Sequence, residues 1–286
     1  MGGVLDPLAR TALWTASMRA REHARADRLF EEPLAGLLAT EEGPLIMSGF
    51  EGDVQGGVQD PALAVRTRYF DDAIRRADTI RGLRQFVFVA AGMDTRAYRL
   101  GWSEGSSLFE LDRPALLDLK SGLLAQVGAQ SGCSVQPVGV DLTGGWTTAL
   151  AAAGFISSAP TFWLVEGLLY FLTVDERDTL IKEMTALSAP GSWLLADYVT
   201  QTSLDSDAMR AWRVKMAVSG HPWQSGCDDP AAMLGGHGWA TTVAGYGSPE
   251  ADFGRWAAAE LAPGVSGTRG RYLITATLSG GSASAV

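Results

Sequence analysis

The turn Ala90-Ala91-Gly92 and the carboxylate of Asp112 are the residues whose types and spacing point first to chemistry. The apolar run from Gln85 to Val89 ends abruptly in that turn, so a strand meets a tight bend where small side chains let a ligand approach the main chain. Asp112 follows about 20 residues later, near the end of a second short strand, Ser107 to Pro114. At that distance a carboxylate can accept hydrogen bonds from both hydroxyls of a ribose. A plainer reading makes Asp112 the cap of a helix that starts at Pro114, but the preceding turn favours the ribose. The pair predicts a nucleotide-like cofactor. No Gly-x-Gly-x-x-Gly accompanies it, which argues against the standard dinucleotide fingerprint.

Such strand ends act together only if a sheet lines them up. Further strands are expected over Ser134 to Val140, Thr161 to Val165 and Ser192 to Tyr198, with helical stretches between them, the pattern of a parallel sheet. Trp239 to Tyr246 and Arg271 to Leu278 complete the set. Upstream, Thr11 to about Leu38 reads as helix with Pro33 marking a break, and Ala62 to Arg81 as a second helix carrying arginines. The fold class is therefore α/β, a single domain over residues 1–278 with an N-terminal helical cap at about 7–50. Residues 200–238 hold Trp212, Met216, His221, Trp223, Cys227 and Met233 and are too long for a turn. They read as a helical lid insertion, with a helical elaboration packed on the sheet as the alternative. The small, polar stretch 279–286 is expected to be disordered.

The chain has 286 residues, 47% of them hydrophobic, enough to bury a sizeable core. A net charge of −9 disfavours phosphate backbones and anionic membrane surfaces, so neither nucleic acid nor membrane is expected as a partner. Cys133 and Cys227 show no metal-ligand spacing and no nucleophile's company, so no metal is expected. No apolar run approaches a membrane span, and Met1-Gly2-Gly3 leads quickly to Asp6 and Arg10, so the expected location is cytoplasmic. Oligomeric state has no signature here.

The order Thr67-Arg68-Tyr69-Phe70-Asp71, Ala90 to Leu100, Phe109-Glu110-Leu111-Asp112, Val140-Asp141-Leu142 and Trp163 to Leu169 resembles the leucine carboxyl methyltransferase-like family. The resemblance runs from about Thr11 to Tyr198 and is closest to its bacterial, secondary-metabolism branch. It implies a Rossmann-like class I methyltransferase fold, a mostly parallel seven-stranded sheet with helices on both faces, and S-adenosylmethionine as cofactor with S-adenosylhomocysteine as product. Carried over residue by residue, Arg66 would grip the cofactor's carboxylate, with Arg68 as neighbour and possible substitute, because a planar guanidinium suits that task. Arg75 reads as surface charge. Ala90, Ala91 and Gly92 would line the methionine and ribose side, Asp112 would take the ribose, and Asp141 and Leu142 would meet the adenine. For Asp141 the alternative is a helix cap, since Thr143 and two glycines follow. Glu166 would sit by the cofactor's amino group, where the methyl is delivered. Some family members carry glycine where this chain has Ala90, and beyond Tyr198 no motif aligns.

Methyl transfer to a carboxylate needs no base, whereas a phenol, amine or indole carbon must lose a proton. The chain has three histidines, His23, His221 and His237. His221, in Gly220-His221-Pro222-Trp223, is the first candidate base, against the alternative of a solvent-facing loop histidine. Tyr198 and Asp197 come next, and His237 between glycines looks like turn chemistry. The nine tryptophans suit stacking on a flat acceptor. The expected function is methyl transfer to a small-molecule acceptor, an aromatic or indole-containing natural product, on O, N or C. A protein or small-molecule carboxylate is one alternative acceptor, and a non-catalytic cofactor sensor is another reading. A nicotinamide oxidoreductase would need the glycine-rich loop that is missing.

Overall fold

The structure is a computed structural model that describes residues 5–51, 61–256 and 270–279. Its centre is a seven-stranded sheet: β1 (Gln85–Val89), β2 (Ser107–Asp112), β3 (Ser134–Gly139), β4 (Thr161–Val165), β5 (Trp193–Val199), β6 (Trp239–Gly245) and β7 (Arg271–Leu278). The spatial order is β3-β2-β1-β4-β5-β7-β6. The first five strands are mutually parallel, and β7 runs antiparallel between β5 and β6. All seven expected strands are present, within a residue or two of the expected bounds.

The helices are α1 (Pro7–His23), α2 (Ala35–Ala39), α3 (Glu42–Glu51), α4 (Ala62–Arg75), α5 (Arg96–Arg99), α6 (Pro114–Gln126), α7 (Trp146–Ala152), α8 (Val174–Ala186), α9 (Gln201–Leu204), α10 (Asp207–Val218) and α11 (Pro230–Gly235). A wider turn, Arg76–Ile80, continues α4. Cap chemistry sets several boundaries. Asp6 accepts from the Ala9 N–H ahead of Pro7, and Thr173 and Glu176 form a reciprocal capping box on α8.

Side chains of β1 and β4 alternate between two buried layers. Val87, Val89, Trp163 and Val165 face one layer, and Phe86, Phe88, Phe162 and Leu164 the other. Both strands are buried along their whole length, as strands covered on two faces must be. A third apolar cluster joins Leu13, Leu38 and Met93 to Leu116 and Leu124 of α6, fixing the N-terminal helices over the end of β1. Because β1 to β5 are parallel, their carboxyl ends share one edge, where open α/β sheets hold ligands.

The expected helix from Thr11 to about Leu38 is corrected: it stops at His23, and residues 24–34 fold back before α2. The side chains of α1 build that return. The Glu22 carboxylate accepts from the Leu29 N–H at 2.8 Å, and His23 Nδ1 accepts from the Glu32 N–H at 3.1 Å. The span 200–238 holds α9, α10 and α11. The stretch 279–286 lies, apart from Ser279, outside the described residues. No described helix is long and apolar enough to cross a membrane.

Candidate active site

At the end of β1 the chain turns through Ala90 (φ 56°) and Gly92 (φ 52°), both left-handed. For alanine that conformation costs about 1–2 kcal/mol. The turn is pinned to β2, since the Ala91 N–H donates to the Leu111 carbonyl at 3.0 Å and the Gly92 N–H to Asp112 Oδ2 at 2.7 Å. A Cβ on Gly92 would stand 3.2 Å from the Ala12 Cβ, so α1 closely covers the turn.

Asp112 Oδ1 accepts from the Arg113 N–H at 2.7 Å. Arg113, not Asp112, is the N-cap residue of α6, so Asp112 is a strand-end carboxylate rather than a helix cap. Burial pushes its carboxyl up, and the two N–H groups pull the other way. Asp141 lies beyond β3, accepting from the Thr143 N–H at 3.0 Å and its hydroxyl at 2.8 Å, which hold its carboxyl low. Gly145, not Asp141, is the N-cap residue of α7, so the helix-cap alternative is corrected: Asp141 closes a local turn and lines the cavity.

Glu166, just after β4, bridges two arginines: Arg66 Nε donates to Oε1 at 2.9 Å and Arg96 Nη1 to Oε2 at 2.8 Å. Burial would raise its carboxyl, but the two guanidinium groups outweigh burial and hold it below its ordinary value. Arg66 Nη1 also donates to Asp197 Oδ2 at 2.8 Å, and Asp197 Oδ1 accepts from the Gly167 N–H at 2.6 Å. Gly167 is left-handed at φ 72°, which suits glycine, while a Cβ there would meet Arg66 only at ordinary contact distance, 3.5 Å. The chain of charges continues through Arg96 to Asp94 and Asp71, through Asp71 to Arg99, and through Glu32 to Arg19. Arg19 Nη2 returns to the Met93 carbonyl at 2.6 Å. Arg96 and Asp71 are 2% and 0% exposed, so these ions stabilise only as a set.

One cavity of about 740 Å³ spans these groups, within the range of a small-molecule site. Arg66, Ala90, Ala91, Gly92, Asp112, Asp141, Leu142, Glu166 and Asp197 all line it. Asp94, Arg96 and Arg99 line it as well, though only the density of charge in Asp94-Thr95-Arg96-Ala97-Tyr98-Arg99 signals them in the sequence. The charged end thus offers both signs, as a zwitterionic amino-acid group requires, with carboxylates left over for hydroxyls and a cation.

Other expected residues lie elsewhere. Arg68 is absent from the wall: two positions along α4 from Arg66, it points away and binds Asp72 Oδ2 at 2.9 Å and the Leu29 carbonyl at 3.1 Å. Arg75 pairs with Asp72 at 2.9 Å on the surface, as expected. Tyr198, next to Asp197 on β5, faces the opposite layer and is fully buried, sharing a 2.6 Å hydrogen bond with Ser225. It does not line the cavity. His221 is neither in the wall nor facing solvent; it is 7% exposed, behind Phe50 and Phe171, and burial lowers its pKa. No histidine lines the cavity among the described residues.

The far end of the cavity is aromatic. Trp14 of α1 stacks on Phe50 of α3 at 4.5 Å, and Phe50 meets Trp212 of α10 at 5.8 Å. Trp212 meets Trp223 at 5.7 Å and Trp223 meets Tyr170 at 4.2 Å. Tyr170, Phe171 and His221 close the circuit back to Phe50. Neither Trp14 nor Phe50 stood out in the sequence, because partners in a ring cluster from separate segments leave no spacing.

The family model described as leucine carboxyl methyltransferase matches residues 12–185. A protein of Mycolicibacterium paratuberculosis bearing the name "Putative S-adenosyl-L-methionine-dependent methyltransferase" is 37% identical over 93% of this chain and 94% of its own. A protein of the same descriptive name from a Parafrankia species is 38% identical over 83% of this chain and 80% of its own. Among solved structures, a protein of Thermobifida fusca titled a "putative methyltransferase" shares the fold with a TM-score of 0.61, 16% identity and coverage of 85% of this chain and 92% of its own.

Proposed function

The chain belongs to the leucine carboxyl methyltransferase family, an S-adenosylmethionine-dependent methyltransferase family, and from that premise we propose that it methylates a small aromatic molecule held at the aromatic end of its cavity. The observation that carries this reading is the two-ended cavity: one end zwitterionic around Asp112, Glu166 and Arg66, the other walled by Trp14, Phe50, Trp212 and Trp223.

S-adenosylmethionine supplies a methyl group already activated on a sulfonium, open to in-line displacement. The protein's part is to position. Asp112, held by the Gly92 and Arg113 N–H groups, keeps lone pairs for ribose hydroxyls. Arg66, fixed by Glu166 and Asp197, would hold the methionine carboxylate, and Glu166 with Asp197 would hold the ammonium. Leu142 and Asp141, both in the cavity wall, would meet the adenine. The left-handed turn at Ala90 leaves the main chain open to close approach by the cofactor, which it would line. Orientation of this kind can supply about 7–11 kcal/mol of a barrier. Proximity is the main catalytic device here, because each carboxylate in the wall is engaged by cations or N–H donors and Glu166 is held in its ionised form.

A carboxylate on the aromatic acceptor is the second reading. It is favoured by the absence of histidine from the described cavity wall, since a carboxylate is ionised at neutral pH and needs no base. Incubation with methyl-labelled S-adenosylmethionine and an extract of the source cells, followed by size separation, tests both readings. Label in a small-molecule fraction that resists mild alkali supports O-, N- or C-methylation of a ring, and alkali-labile label supports an ester. Label on polypeptide overturns the small-molecule reading.

A further inference from the structure

The Nε1 atoms of Trp14, Trp212 and Trp223 are all buried, and none has a hydrogen-bond partner among the described residues. Buried donors are almost always satisfied, so three orphans in one cluster call for a cause. The rings that surround them offer only weak acceptance to an N–H. These three side chains come from α1, α10 and the loop after α10, and all line the cavity. Other buried polar atoms among the described residues also lack a partner, both His221 nitrogens, Ser248 Oγ and Tyr272 Oη among them, but only here do three like donors gather in the cavity wall; the charged end of the same cavity pairs its ions across four segments. Resting on the methyltransferase reading, we propose that these indole N–H groups recognise the acceptor: it is a flat aromatic molecule bearing hydrogen-bond-accepting oxygens, carbonyl or ether, on its edge.

Stacking alone would be served as well by phenylalanine, as Phe50 serves within the same circuit at 4.5 Å from Trp14. Tryptophan adds a donor at the ring edge, and an edge donor reads an edge acceptor. The N–H groups are enclosed by the rings around them, so they are offered when the rings part around an entering molecule. A hydrocarbon of the same shape gains the stacking but leaves the donors orphaned, and a site with buried donors rejects an analogue that cannot pair with them.

Fluorenone and fluorene, one flat skeleton with and without a carbonyl oxygen, are the probes. Calorimetric titration of the wild-type protein loaded with S-adenosylhomocysteine is expected to show fluorenone binding at least about tenfold tighter than fluorene. In Trp212→Phe and Trp223→Phe, which keep a ring and remove a donor, that ratio is expected to fall toward one while fluorene affinity changes little. Equal binding of the two probes to the wild type, binding of neither, or a ratio unmoved in the folded variants overturns the proposal. The wild-type comparison stands even where a variant fails to fold. Failure of S-adenosylhomocysteine to bind the wild type would instead overturn the methyltransferase reading itself.

Discussion

Replacing Asp112 by alanine removes a half-buried carboxylate that caps two backbone N–H groups and faces the cavity. Affinity for S-adenosylhomocysteine is expected to fall by about 1.5–3 kcal/mol, roughly ten- to a hundredfold, because hydrogen bonds to charged groups are lost. Titration calorimetry checks this, and unchanged affinity removes the ribose role. Ala90 gives a second test. It holds φ 56° without being glycine, so Ala90→Gly relieves left-handed strain of about 1–2 kcal/mol against an entropic cost of about 0.5–1 kcal/mol. The variant is expected to be neutral or up to about 1 kcal/mol more stable in urea; a loss above that would mean the alanine methyl is needed where it sits. At this scale the sequence was legible where chemistry sits on strand ends. Asp112 and Gly92 are separated by a spacing that the strand-helix-strand unit enforces, and the structure joins them directly. His221 was not legible, because what decides its exposure is the arrival of Phe50 and Phe171 from distant segments.

The four-residue helix α5 is too short to hold itself, and ion pairs do the holding. Arg96 reaches Asp71 on α4 at 2.7 Å and Glu166 after β4 at 2.8 Å, while Arg99 grips the same Asp71 and the Glu32 that Arg19 of α1 binds. Arg96→Met keeps much of the volume but leaves Asp71 and Glu166 buried and underpaired. A loss of about 3–5 kcal/mol is expected by urea denaturation; a loss under about 1 kcal/mol would show the pairs to be nearly neutral against an apolar replacement. The strands were readable from their apolar runs and terminal small residues, and their order in the sheet matches the expected class. The N-terminal segment was read as one long helix because Leu29, Phe30 and Leu34 continue an apolar pattern. In the structure those residues still pack inward, but from a return loop fixed by Glu22 and His23, whose side-chain-to-backbone bonds have no periodic signature.

For the molecule as a whole, acid should act in two stages. His221 has its pKa lowered by burial from the ordinary 6.5, so the unfolded chain takes up its proton first and stability falls as pH drops below about 6.5. Below that, Asp71, Asp94 and Glu166 have lowered values, and their contribution is lost as pH falls through them. Asp112, Asp197 and Glu110 are raised and act with the opposite sign, gaining stability as pH falls through their folded values, so the carboxylates partly cancel. Of these groups, His221 is the one that loses stability first as the pH drops from neutrality. His221→Phe is therefore expected to flatten the stability change between about pH 7 and pH 5, read by urea midpoints at several pH values; an unchanged slope would place that sensitivity in another group. The aromatic circuit that His221 completes joins α1, α3 and α10, so the N-terminal helices and the segment after β5 meet in one wall of the cavity. With indole rings of Trp14, Trp212 and Trp223 at 6.1 and 5.7 Å from one neighbour to the next, their electronic transitions couple. Parting of the rings should then be visible as a change in the near-ultraviolet circular dichroism of the unlabelled protein, which makes that aromatic wall its own spectroscopic reporter.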